Sequence, residues 1–232
     1  MKVLFGTVCK NIEKTFSTLF RTAELVFQYF PEAHFFVYEN NSTDSTKQLL
    51  VSLQSVHPSI HIWSETFTNE KMLERSKANT WDMIPCRMEL IAYARNKLLD
   101  MIESIGYDDN DRIVMFDCDM KRELNVEMIK HKINTLPDID VIFGNGLTGG
   151  NTYYDLYALR TVDKPIGPEL MGDNFFKNTP YGLQIGDKTP VYSAFGGLAI
   201  YKGYCVKNNR YSAIPTYDLD YFYKEIMKKH TI

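Results

Sequence analysis

The feature that most constrains this chain is a change of hydrophobic period that repeats through its first 145 residues. Short, continuous apolar runs alternate with longer segments whose apolar residues return at helical spacing. Residues 3–8 (Val-Leu-Phe-Gly-Thr-Val), 34–38 (His-Phe-Phe-Val-Tyr), 60–63, 111–116 and 141–143 read as strands. Residues 15–30 place Phe16, Leu19, Phe20, Ala23, Val26, Phe27 and Phe30 on one helical stripe, and Pro31 ends it. Residues 47–53, 87–102 and 126–134 read as further helices. Strands that are apolar throughout, separated by helices, form a mostly parallel sheet covered on both faces. The expectation is therefore an α/β fold in which ligands meet the carboxyl ends of the strands.

Those ends are polar. After the strand at 111–116 stands Asp117-Cys118-Asp119. In an extended chain, residues i and i+2 point to the same side, so both carboxylates can address one site just past the strand. A pair is too small a ligand set to cage a cation. It suits Mg²⁺ or Mn²⁺ that takes its other oxygens from a diphosphate and water. After the second strand comes Glu39-Asn40-Asn41-Ser42-Thr43-Asp44-Ser45-Thr46. Asp44 or Thr43 can cap the next helix, and Glu39 can accept hydrogen bonds from a base or ribose. Residues 65–85 lack a clear period and read as a long active-site loop. Arg87 and Arg95 lie near one face of the helix that leads to the carboxylate strand, and guanidinium forks suit diphosphate oxygens.

Beyond residue 145 the texture changes: glycine, proline and tyrosine increase, and helical period returns only at 217–229. No linker separates the halves, so one domain over 1–232 is expected, with a nucleotide-binding half (1–120) and an acceptor-binding half (121–232). Gly144-Asn145-Gly146-Leu147-Thr148-Gly149 fits a dinucleotide fingerprint in letters only, because no helix opens after it. It reads as a strand-to-loop element near an acceptor site, with Asp173 in the loop region that follows. His57 and His61 are four apart, but Pro58 denies them a shared helical face.

A net charge of -3 gives no basic footprint for nucleic acid. The run Val3-Leu4-Phe5 is too short for a signal-peptide core, and no stretch has the length to span a bilayer, so a cytoplasmic protein is expected. The four cysteines are scattered and read as reduced, mostly buried thiols.

Taken in order, these motifs resemble the glycosyltransferases of the GT-A fold. The resemblance covers residues 3–120: the loop after the first strand, Glu39 to Thr46, Arg87 followed by Arg95-Asn96, then a hydrophobic strand and Asp-x-Asp. The spacing from Arg87 to Leu98 is similar to that of fungal capsule-associated mannosyltransferases and of small viral and microbial transferases. The resemblance implies a GT-A type, Rossmann-like sheet and a UDP- or GDP-sugar donor, with Mn²⁺ or Mg²⁺ and a glycan or glycoprotein acceptor. Thr7, Val8, Lys10 and Glu39 would hold the nucleoside, and Arg87 and Arg95 would approach base or diphosphate. Asp117 and Asp119 would meet ribose and metal, Asp119 more directly. Gly196 and Gly197 resemble the glycine pair at which donor sugar and acceptor approach the backbone. Asp218 or Asp220 would be the general base, although the acidic-Cys or acidic-His pair that some relatives place there is absent. Two rivals share parts of the pattern. Phosphatases of the haloacid dehalogenase type also use Asp-x-Asp after a buried strand, but near the start of the domain. A non-catalytic nucleotide- or carbohydrate-binding relative would keep the site without turnover.

Overall fold

The computed structural model describes residues 1–67, 84–146, 155, 158–161 and 189–211, with residues 84–88 as backbone only. The chain runs β1 (Val3–Cys9), a 3₁₀ turn (Glu13–Thr15), α1 (Phe16–Tyr29), β2 (His34–Asn40), α2 (Thr46–Gln54) and β3 (Ile60–Glu65). It continues through α3 (Ile84–Ile105), β4 (Arg112–Asp117), α4 (Val126–Thr135), β5 (Val141–Phe143), β6 (Arg160–Thr161), β7 (Val191–Ser193), β8 (Leu198–Lys202) and α5 (Gly203–Val206). Among the described residues, six strands form one sheet in the order β3-β2-β1-β4-β8-β5, and β6 pairs with β7 apart from it.

The expected class is observed: an α/β fold on a mostly parallel sheet with helices on both faces. β1, β2, β3 and β4 are parallel neighbours. Alternate residues of β1 feed two separate cores. Val3, Phe5 and Cys9 pack with Leu19, Ala23 and Val26 of α1, Leu50 and Leu53 of α2, and Ile129 and Ile133 of α4. Leu4 packs on the other face with Phe36, Tyr38, Ile113 and Met115 and with Ala94, Leu98 and Ile102 of α3. Burial on both faces explains why these strands read as unbroken apolar runs rather than alternating ones.

Three of the differences from the sequence expectation bear on the site. Helix α3 begins at Ile84, so Pro85 belongs to its first turn and not to the preceding loop. Proline is tolerated there because a first-turn N–H has no intrahelical partner. Strand β8 was not expected. Leu198-Ala199-Ile200-Tyr201 runs antiparallel to both β4 and β5 and sits between them. Residues past 121 thus complete the sheet begun by residues before 120. Lastly, β4 ends at Asp117, and Cys118 and Asp119 occupy a turn rather than an extension of the strand.

Candidate active site

Parallel register carries the carboxyl ends of β1, β2, β3 and β4 to one rim. Val8 lies beside both Tyr38 and Asp117, and Cys9 lies beside Glu39, which in turn pairs with Ser64. Asp117 is the last residue of β4, and its backbone N–H donates to the Gly197 carbonyl at 3.0 Å. In the turn that follows, Cys118 is buried and donates its thiol to the Val8 carbonyl at 3.3 Å, while Asp119 is exposed. Asp117, by contrast, is half-buried.

Arg95 comes from α3 and places Nη2 3.7 Å from Asp117 Oδ1. Its guanidinium carbon lies 4.5 Å from the centroid of the Phe195 ring and 5.3 Å from that of Tyr211. Such a flanked guanidinium is held by cation–π attraction as well as by charge. Burial raises the Asp117 carboxyl above its ordinary value; Arg95 opposes that, and Asp119 and Asp155 add to it. A second cation would relieve this crowding of negative charge. Two hard oxygen donors on one turn fit Mn²⁺ or Mg²⁺ completed by phosphate and water. Asp119 is the more exposed of the two, and Asp117 is the one beside Arg95. Among the described residues no cluster of three or more His, Cys, Asp or Glu forms a cage for a metal.

Gly197 has φ +89°, and a Cβ there would lie 2.8 Å from Met120 Sδ and 3.8 Å from Asp117 Oδ2. Gly196 is needed for a different reason. A Cβ on it would fall 2.7 Å from the Gly144 carbonyl oxygen, and one on Gly146 only 2.1 Å from the Gly196 carbonyl oxygen. The Gly144-Asn145-Gly146 segment and the Gly196-Gly197 turn are therefore two backbones in direct contact, beside Asp117. That contact accounts for Gly146, whereas a Cβ on Gly144 would meet the Leu198 side chain at 2.9 Å, and Gly149 lies outside the described residues.

The expected nucleoside contacts divide. Lys10 is exposed at the rim and Val8 is half-buried. Thr7 is 1% exposed and its hydroxyl turns to the Val8 carbonyl, so its side chain is part of the sheet and not of the rim. Glu39 is 0% exposed. One carboxylate oxygen accepts from the Ser42 N–H at 2.7 Å, the other accepts from the Ser64 hydroxyl, and Lys47 Nζ stands 4.0 Å away. In this structure Glu39 organises the loop after β2, with both carboxylate oxygens hydrogen-bonded.

That loop is tied to the one after β1. Asn11, at φ +53°, accepts from the Thr43 N–H at 2.8 Å and donates its own N–H to Ser42 Oγ at 3.0 Å. The Ile12 N–H donates to Thr46 Oγ1 at 2.8 Å. Asp44, rather than Thr43, receives the Thr46 N–H at 3.0 Å and also that of Glu13 at 3.1 Å. These bonds tie the loops after β1 and β2 together at the rim. Arg87 falls within α3, but its side chain is outside the described residues, as are Asp173, Asp218 and Asp220. Sequence reasoning missed Phe195 and Tyr211 at the site, whose aromatic character beside a glycine pair and a basic residue was the available signal.

No family model matches the chain, and no curated protein matches it. Solved structures of the glycosyltransferase class that the sequence resembles are similar to it at low identity. Mannosyltransferase PcManGT from Pyrobaculum calidifontis, in complex with GDP-Man and Mn²⁺, has a TM-score of 0.46 at 14% identity, over 93% of this chain and 48% of that one. S. aureus TarS 1-349 in complex with UDP gives 0.46 at 17%, over 90% and 49%. Glucosyl-3-phosphoglycerate synthase from Mycobacterium tuberculosis, with Mn²⁺, UDP and phosphoglyceric acid, gives 0.41 at 12%, over 87% and 55%. The chain spans about half the length of each. None of these likenesses assigns a residue or a substrate to this chain. Among the described residues no helix is long and apolar enough to cross a membrane.

Proposed function

We propose that the protein is a GT-A type, metal-dependent glycosyltransferase that moves a hexosyl or pentosyl group from a UDP- or GDP-sugar to a hydroxyl of a glycan or glycoconjugate. The observation that carries this reading is the Asp117–Asp119 turn at the central strand end, with Arg95 at 3.7 Å and the Gly197 backbone against it. One cationic side chain beside Asp117, with a second hard carboxylate two residues on, would form a receptor for a diphosphate and its cation.

Bound there, Mn²⁺ or Mg²⁺ would neutralise charge on the departing nucleoside diphosphate. Asp119 and Asp117 would hold the cation, and Arg95 would donate to diphosphate oxygens as negative charge develops on them. The floor formed by residues 11–13 and 42–46, with Lys10 beside it, would receive the nucleoside. Gly196 and Gly197, which present backbone without side chains, would let the donor sugar approach Asp117. Asp218 or Asp220 would take the proton of the attacking acceptor hydroxyl, and Asp173 would contact the acceptor.

The test is a thermal-shift screen of nucleoside diphosphates and nucleotide sugars with and without Mn²⁺. Stabilisation that requires both the metal and one nucleotide supports the reading and identifies the base. No shift with any nucleotide, together with phosphomonoester hydrolysis, would replace it with the phosphatase. Asp218→Asn and Asp220→Asn separate a base from helix charge: the base variant loses turnover and keeps donor binding.

A further inference from the structure

One face of α3 straps the segment that follows α5. Asn96, Asp100 and Glu103 recur at helical spacing and so share that face. Each of them bonds to the dipeptide Arg210-Tyr211. Arg210 meets Glu103 through two hydrogen bonds, Nη1 to Oε1 at 2.9 Å and Nη2 to Oε2 at 2.7 Å, and reaches Asp100 at 3.3 Å. Asn96 holds the main chain of the next residue at both ends. Its Nδ2 donates to the Tyr211 carbonyl at 2.9 Å, and its Oδ1 accepts the Tyr211 N–H at 2.8 Å. A side-chain amide that meets both groups of one residue fixes its position as a strand neighbour would.

What this fixes is the Tyr211 ring. It stands 5.3 Å from the guanidinium carbon of Arg95, the residue next to Asn96 in sequence, with Phe195 at 4.5 Å. Tyr211 also packs against the same core as Tyr201 of β8. Arg95 has long, flexible torsions and a partly exposed ion pair with Asp117, a pair worth little by itself. Its direction is therefore set by the rings beside it.

We propose that Asn96 is a positioning residue of the donor site. By clamping the Tyr211 main chain it holds the aromatic flank that keeps Arg95 turned toward Asp117 and toward a diphosphate bound there. Asn96 touches neither the nucleotide nor the metal and acts through Arg95. The donor part of this inference rests on the transferase reading, whereas the control of Arg95 does not.

The experiment is a double-mutant cycle on the full chain with two readouts. Mn²⁺-dependent binding of the nucleoside diphosphate found by screening is measured for wild type, Asn96→Ala, Arg95→Ala and the double variant. Asn96→Ala is expected to weaken binding on the order of tenfold in the wild-type background and to add less than about twofold in the Arg95→Ala background, as for residues coupled through one contact. Equal losses in both backgrounds would overturn the proposal. The second readout is the Nε–H NMR resonance of Arg95, identified by its absence in Arg95→Ala. Flanking rings displace this resonance from the position of a free arginine, and Asn96→Ala should return it. An unmoved resonance in a folded variant would also overturn the proposal. Asn96→Asp keeps the acceptor for Tyr211 and loses the donor, so it serves if the alanine variant does not fold. If wild type binds no nucleotide but the resonance still returns, the control of Arg95 stands and the transferase reading falls.

Discussion

Replacing Gly197 by alanine separates two costs that the structure keeps distinct. Gly106 follows α3 at φ +73° and has nothing within 4 Å of where a Cβ would lie. Gly106→Ala therefore carries only the cost of a left-handed L-residue, ~1–2 kcal/mol. Gly197, at φ +89°, carries the same cost, and its Cβ would also lie 2.8 Å from Met120 Sδ. Methionine is flexible, so the thioether can move, but displacing a packed group adds ~1–3 kcal/mol. Urea unfolding should then show Gly197→Ala losing roughly 2–5 kcal/mol, clearly more than Gly106→Ala. The two should also differ in function. The Gly197 carbonyl receives the Asp117 N–H, and the new methyl would come into van der Waals contact with Asp117 Oδ2 at 3.8 Å, so a shift of the Gly197 backbone is passed to Asp117. Mn²⁺-dependent nucleotide binding should fall in Gly197→Ala and be kept in Gly106→Ala. Equal destabilisation of the two variants, or nucleotide binding unchanged in Gly197→Ala, would refute the account of why glycine stands beside the carboxylate.

Two further predictions concern the opposite end of the sheet. His34 Nδ1 lies 3.0 Å from His61 Nε2, and burial lowers both rings from their ordinary 6.5, the charges of Lys2 and His57 adding at His34 and that of His34 adding at His61. The unfolded chain takes up those protons near pH 6.5 and the folded chain only below it, so stability is greatest above that pH and declines as pH falls through it. His61→Gln should flatten that decline in melting temperature between pH 8 and 5, and an identical decline in the variant would count against the pair. Asp111 is buried and accepts the Lys2 N–H at 2.6 Å and the Asp108 N–H at 2.8 Å. Asp111→Ala should cost roughly 1.5–3 kcal/mol in urea unfolding, as a charge-assisted hydrogen-bonding group does. It should leave Mn²⁺-dependent nucleotide binding intact, because Asp111 stands just ahead of the first residue of β4 and Asp117 is the last.

The parallel strands were legible because they are buried on both faces, and that burial writes itself as unbroken apolar runs such as Phe35-Phe36-Val37-Tyr38. The rim was legible for the converse reason: Glu39 and Asp117 interrupt such runs with a charge. Position in the sheet did not reveal orientation. Thr7 and Glu39 face inward, a fact set by which side of the pleat each side chain takes and by partners such as Ser64, 25 residues further on. Strand β8 was hidden because its four apolar residues follow Gly196-Gly197, and a short apolar run after glycines reads as readily as a turn. Its place between β4 and β5 depends on pairing across more than eighty residues, which no local pattern encodes. The Asn96–Tyr211 clamp, with a separation of 115, was out of reach for the same reason.

The central claim is that the Asp117–Asp119 turn holds a cation together with a nucleoside diphosphate. Its most direct test is Asp119→Ala, followed by titration of Mn²⁺ in the presence of the nucleoside diphosphate that stabilises wild type. Asp119 is exposed, so its removal should leave the melting temperature of the ligand-free protein nearly unchanged. The account predicts that the metal-dependent stabilisation disappears in this variant. A metal-dependent shift of wild-type size in Asp119→Ala would contradict it.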